Sequence, residues 1–258
     1  MKLIFGRRSY VMSIRTKGYC KYCGKEYTMA GMFRHLQSCK KKMISCEKAS
    51  NMGKYFELQL YGTYNKDYWL IIRMEENATL DDLDQFIRDI WVECCGHLSA
   101  FEINGQSYDK MPDDDFLWGE PVESMKYKLK QVLTTGMLFH YEYDFGSTTE
   151  ITIKVLDHCS APKQSEKVVI LSRNNPLEFT CSICGEQKAT WINAYNIYNE
   201  DPFWCDECVA KLEEDEYEEY DDDVYFLPIV NSPRMGVCGY DGSSIYPKQF
   251  KPDTPENE

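Results

Sequence analysis

From Lys54 onward the chain alternates with a period of two. Phe56, Leu58 and Leu60 are interleaved with Glu57 and Gln59, and after polar residues around Asn65 the alternation resumes at Tyr68, Leu70, Ile72 and Met74. This pattern predicts two half-buried strands. At Thr79 the period lengthens: Leu80, Leu83, Phe86, Ile87, Ile90 and Trp91 fall on one helical face, and Thr79 with Asp82 forms a capping-box variant that starts the helix. Leu98, Ala100 and Phe101–Ile103 read as a third strand, which Asn104-Gly105 turns back as a hairpin. Val122, Met125, Leu129, Val132 and Leu133 predict a second amphipathic helix. FHYEYD (139–144) and TEITIKV (149–155) are two more strands around Phe145-Gly146-Ser147. The order ββαββαββ over about 105 residues predicts an α+β domain rather than a parallel α/β sheet.

The flanks are built differently. Residues 1–17 form a basic arm, and residues 18–45 contain Cys20-x2-Cys23-x11-His35-x3-Cys39. Zinc wants four tetrahedral nitrogen or sulfur ligands; a CxxC knuckle supplies two, and a helix face carrying residues i and i+4 supplies His35 and Cys39. Tyr27 and Phe33 would make the small core of this finger. After the α+β domain (52–160) comes a linker (161–177), with room for one strand at Val168–Leu171. Next is a module at 178–210 in which Cys181-x2-Cys184 and Cys205-x2-Cys208 are separated by twenty residues. Four thiolates leave no open coordination position, so this spacing predicts a structural zinc ribbon. The expectation is therefore two structural zinc ions in two small modules flanking the central domain. Residues 211–258 are an acidic run, with nine carboxylates from Glu213 to Asp223, and a tail.

Other candidate groups are less specific. Cys94-Cys95-Gly96-His97 lies at a helix end, where buried thiols and a capping histidine are ordinary, and no third orienting group marks a nucleophile. Asp113–Asp115 and the 213–223 run lack the loop glycine and spacing of a calcium site. Asp144, Glu150 and His158 flank the last hairpin as a conceivable polar site.

Charge changes the picture more than composition does. The 258 residues carry a net −13, but residues 1–50 alone carry +10 and the rest −23. Arg7, Arg8, Arg15, Lys17, Arg34, Lys40, Lys41 and Lys42, clustered around a finger, have the electrostatic signature of phosphate contact. The bland alternative is a solvated basic surface that balances the acidic body. No stretch reaches the roughly 18–20 apolar residues of a membrane span. Metal-type cysteine spacing without a secretory leader predicts a reducing, cytoplasmic setting.

The segments TLDDLDQFIRDIW (79–91), HLSAFEINGQSYD (97–109) and FHYEYDFGSTTEITIKVLDH (139–158) resemble the plasmid Ri ORF-three-like family, also described as transposon-passenger TnpR-like. The Tyr143-Asp144-Phe145-Gly146 motif carries much of the likeness. Many members continue with an acidic residue, Trp and His where Ser147, Thr149 and Ile151 stand here. NSPRMGVCGYDG (231–242) is similar to the tail of a branch with an N-terminal finger and a C-terminal ribbon. The resemblance implies an α+β fold with a ubiquitin-like core and an association with mobile elements. The leading expectation is a non-enzymatic zinc protein whose finger contacts nucleic acid and whose acidic body contacts a protein partner. One rival is a zinc adaptor that binds only protein; the other is an enzyme, associated with recombination, that uses the YDFG hairpin.

Overall fold

The computed structural model describes residues 16–111, 122–197, 202–214 and 224–253. The chain begins with the hairpin β1 (Lys17–Tyr19) and β2 (Glu26–Thr28), then α1 (Met29–Ser38) and α2 (Lys40–Glu47). The central part runs β3 (Met52–Gly62), β4 (Trp69–Glu75), α3 (Leu80–Ile87), β5 (Ser99–Ile103), β6 (Gln106–Asp109), β7 (Glu123–Ser124), α4 (Leu129–Val132), β8 (Leu138–Tyr143), β9 (Thr149–Pro162) and β10 (Val168–Arg173). The last part contains β11 (Trp191–Asn193), β12 (Phe203–Trp204), α5 (Asp206–Glu214) and β13 (Phe226–Pro228). The chain is thus α+β, mostly sheet with few helices, and it carries cysteine clusters towards both ends. Among the described residues no helix is long and apolar enough to cross a membrane.

Eight strands form one sheet in the order β10-β4-β3-β9-β8-β5-β6-β7, antiparallel throughout except for the parallel pair β6–β7. The segment expected to be a linker supplies β10, which pairs along β4 and extends the sheet beyond residue 160. One face holds the main core: Leu58, Leu60, Leu70, Ile72, Phe139, Tyr141 and Ile153 pack against Leu83, Phe86, Ile87, Ile90 and Trp91. α3 starts where expected. The Thr79 side chain accepts from the backbone of Asp82, and the Asp82 carboxylate accepts from the Thr79 N–H. Past Ile87 it widens into a π-helical turn at Arg88–Val92, which keeps Ile90 and Trp91 buried. Asn104 and Gly105 take φ of 53° and 79°, as a two-residue hairpin turn with two left-handed positions requires.

The amphipathic helix expected at 122–133 shrinks to the single turn α4. The carbonyls of Met125 and Tyr127 accept from the N–H groups of Asp81 and Leu80, two of the donors that the first turn of α3 leaves unpaired. The N–H groups of Leu129 and Lys130 donate to Ala78 and Glu76 instead of closing a helical turn on Met125 and Lys126. Met125, Leu129 and Leu133 are buried all the same.

The opposite face of the sheet is covered by the N-terminal module. Met32 and Leu36 of α1 pack with Trp69, Ile71, Leu156 and Leu171 from β4, β9 and β10. Gly18 approaches so closely that an added Cβ would sit 2.1 Å from the Arg173 carbonyl oxygen. Beneath the module, Arg73 donates to Glu57 at 2.7 Å and to the Tyr22 hydroxyl at 3.0 Å, and Lys42 reaches the same Glu57 oxygen at 2.7 Å. β4 is therefore buried on both faces.

Candidate metal centres

At the first centre, the β1–β2 hairpin forms the knuckle. The Gly24 N–H donates to the Cys20 carbonyl at 2.9 Å with φ of 69° at Gly24, the Cys20 N–H donates to Lys25, and Cys20 and Cys23 turn inward. α1, started by Thr28 accepting from the Gly31 N–H, brings His35 towards the knuckle, and Cys39 follows its end. The four ligand atoms lie within 4.8 Å of one another. Cys20 and Cys39 Sγ are 4.0 Å apart, and Cys23 Sγ and His35 Nε2 are 3.2 Å apart. A zinc–thiolate tetrahedron with bonds of ~2.3 Å has edges of ~3.8 Å, so the set is close enough to hold a metal of that kind. Tyr27 stacks on the His35 ring at 4.3 Å between centroids. Burial pushes the Cys20 thiol up to about 12, against the opposing N–H groups of Cys23 and Tyr22. Cys20 becomes a thiolate readily only beside a cation.

The second centre repeats this logic with two knuckles. The Gly185 N–H donates to the Cys181 carbonyl with φ of 71° at Gly185, and Cys205 precedes α5, which carries Cys208. Cys181, Cys184, Cys205 and Cys208 again place their ligand atoms within 4.8 Å, with Cys184 and Cys205 Sγ 4.0 Å apart. Burial would raise the Cys181 thiol, but N–H groups of Cys184, Cys205 and Ile183 aimed at its sulfur outweigh that and bring it down to about 6. Cys208 of the same set is pushed the other way, up to about 12, by burial and by its neighbouring cysteines. Phe179 and Phe203 stack at 4.0 Å beside it, and β11, β12 and β13 form a separate three-stranded sheet.

Sequence reasoning missed a third grouping. Cys94, Cys95, His97 and Cys238 also hold their ligand atoms within 4.8 Å of one another. Cys94, Cys95 and His97 are adjacent rather than knuckle-spaced, and Cys238 comes from the far end of the chain. The available signal was a cysteine in the NSPRMGVCGYDG segment, which had no local partner.

The other candidate groups separate. Arg34, Lys40 and Lys41 are exposed on α1 and α2, as is Lys17 on β1, whereas Lys42 is held against Glu57. Arg7, Arg8 and Arg15 lie outside the described residues, as do Asp113–Asp115 and most of the acidic run. Asp144, Glu150 and His158 do not converge. Asp144 pairs with Arg234 at 2.7 Å, Glu150 accepts from Tyr64, and His158 pairs with Glu76 at 2.9 Å and stacks on Phe56. Glu150 and His158 sit eight residues apart along β9, roughly 27 Å at ~3.4 Å per residue. Burial would raise the Asp144 carboxyl, but Arg234 and the N–H groups of Ser147 and Gly146 hold it below the usual carboxylate value. It is a structural anion.

The Plasmid pRiA4b ORF-3-like protein family matches residues 56–188, just over half of the chain. The chain belongs to that family. Its match runs from β3 to the first cysteines of the second centre, so the N-terminal module and the C-terminal tail lie beyond it. Among solved structures, a protein of unknown function, MM3350 from Methanosarcina mazei Go1, is similar at 23% identity. The alignment covers 46% of this chain and 69% of that one, with a TM-score of 0.39. No curated protein matches the chain.

Proposed function

We propose that the chain is a zinc-held, non-catalytic member of this mobile-element-associated family, from a branch with an N-terminal finger and a C-terminal ribbon around a ubiquitin-like core. Zinc at Cys20, Cys23, His35 and Cys39, and at Cys181, Cys184, Cys205 and Cys208, fixes the two modules. The finger contacts nucleic-acid phosphates in the cytoplasm, and the acidic body engages a protein partner. The observation that carries this reading is the two-sidedness of the finger. Its apolar side is spent on the sheet, while Arg34, Lys40 and Lys41 remain exposed together on the outside. Cations fixed on a rigid support lose little freedom on meeting phosphate, and each releases counterions. Contacts of this kind position a protein without reading sequence.

The test is binding of labelled duplex and single-stranded DNA and RNA to the full chain across a salt series. Neutralising Arg34, Lys40 and Lys41 should lower the duplex salt slope by up to ~2.7, at ~0.9 per contact, and weaken all sequences alike. An unchanged slope, or no binding at low salt, rejects the reading.

A second reading, an adaptor binding only protein, draws on one observation. Two finger cations already turn towards carboxylates of the same chain: Lys42 to Glu57, and Lys21 to Asp253 at 2.7 Å. A surface that prefers acidic protein groups would bind an acidic peptide and ignore nucleic acid.

A further inference from the structure

We propose that Cys94, Cys95, His97 and Cys238 form a third zinc site, which clasps the C-terminal segment onto the YDFG hairpin and exchanges its ion more readily than the other two. Three thiols and one imidazole are a donor set that suits zinc, and their ligand atoms lie within 4.8 Å of one another. His97 Nε2 is 3.2 Å from Cys238 Sγ, although the two residues are 141 apart in sequence. Nδ1 of the same ring faces Asp144 Oδ1 at 3.6 Å. A carboxylate behind a metal-binding histidine selects the tautomer that leaves Nε2 free to coordinate.

Both supports of the site are fixed from inside. Arg88 donates to the His97 carbonyl and to Glu93, each at 2.7 Å, and the Gly96 N–H donates to Glu93. The Tyr143 hydroxyl accepts from the N–H of His97 and donates to Glu93. The 93–97 loop is thereby held with Cys95 exposed and Cys94 half-buried against the core. On the other side, Arg234 is fully buried. It donates to Asp144, to Thr149 and the Ser147 carbonyl, and at 3.5 Å to Cys94 Sγ, while its guanidinium lies 4.8 Å from the Tyr143 ring centre. Ser232 anchors the same segment by donating to the Trp91 carbonyl at 2.6 Å. Tight turns then carry the chain from Arg234 to Cys238, which takes a left-handed φ of 50°. Left-handed backbone at a non-glycine residue is uncommon and costs energy that a ligand can offset.

The two motifs that carry the family resemblance therefore meet here. Asp144 of YDFG lies behind the histidine ring, and NSPRMGVCGYDG supplies Arg234 and the fourth ligand. Exposure sets this centre apart: Cys95 and Cys238 are exposed, whereas three of the four cysteines of the ribbon are buried, as are Cys20 and Cys39 of the finger. A chelator reaches exposed thiolates first.

The experiment is elemental analysis of the full chain purified under reducing conditions, with release of zinc to a colorimetric chelator followed in time. Wild type should hold three ions, one leaving in a fast phase; Cys238→Ser and, separately, Cys95→Ser should hold two and lose the fast phase. Circular dichroism identifies a variant that has failed to fold, and Cys95, exposed and on the outer side of the loop, is the safer of the two. Cobalt loading adds a check: the third equivalent should give tetrahedral thiolate bands that Cys95→Ser abolishes. The same ion count in wild type and both folded variants overturns the site. So does a Cys95–Cys238 disulfide in freshly reduced protein with no third ion. Nucleic-acid binding is not part of this readout, so the third site and the proposed function fail separately.

Discussion

The two cysteine clusters proposed as finger and ribbon share one plan, a CxxC knuckle completed by two further candidate ligands, yet they stand in different relations to the body. The finger shares a core with the sheet: Met32 and Leu36 interlock with Trp69, Ile71, Leu156 and Leu171, and the Glu57–Arg73–Lys42 cluster is buried at the seam. At the ribbon, the cysteine cluster packs mainly with Trp204. Between its Phe179, Ile192 and Phe203 and the body's Tyr64 and Tyr68 lies an open cavity of about 420 Å³. A metal cluster whose own packing is small depends on its ion for its fold; one that shares a core with its host lends stability to the host as well.

The largest effect should come from the seam itself. Trp69→Ala removes a fully buried indole between finger and sheet and should cost about 3–5 kcal/mol in denaturant unfolding. A loss under ~1 kcal/mol would show that the finger rests on the sheet without sharing its core.

Glu57→Gln leaves Arg73 and Lys42 facing a neutral amide and should cost about 3 kcal/mol, since breaking a buried pair strands its charges. Burial would raise the Glu57 carboxyl, but Lys42 and Arg73 outweigh it and hold it below its ordinary value of 4.5. A depressed folded value means that its stabilisation is complete above about pH 4.5 and is lost as pH falls through the folded value. Wild type should therefore lose stability on acidification more steeply than Glu57→Gln, and parallel acid profiles would contradict this.

A smaller change tests the fit. Gly18→Ala pushes a methyl group into the Arg173 carbonyl and should cost about 1–3 kcal/mol, as overpacking usually does. The corresponding change at Gly185 of the ribbon meets no neighbour, and its penalty comes only from the left-handed backbone. If the two variants lower the stability of the body equally, the seam is looser than its geometry.

The parts of this arrangement legible in the sequence were the local ones. Both knuckles, the Thr79–Asp82 cap and the Asn104-Gly105 turn depend on residues a few positions apart, and each lies where its spacing placed it. The helix read at 122–133 failed because its backbone groups pair with residues 76–81, a demand that its own pattern does not reveal. The docking of the finger was written in Tyr68-Trp69-Leu70-Ile71-Ile72, a run too continuous for a strand with one wet face, of which only the alternate residues were used. The third cysteine cluster needed a partner at position 238, and nothing short of the folded chain brings it to His97.

The central structural claim is that the N-terminal cysteine centre shares a hydrophobic core with the body, whereas the cluster of the second centre packs mainly with Trp204. It is tested most directly by urea unfolding of the body in wild type, Cys23→Ser and Cys184→Ser, each confirmed to have lost one ion. Losing the finger's ion should lower the body's unfolding midpoint, because Trp69, Ile71 and Leu171 lose their cover. Losing the ribbon's ion should leave the midpoint unchanged within ~0.5 kcal/mol, as for distant, independent sites. Equal shifts in the two variants, or a larger shift in Cys184→Ser, would contradict it.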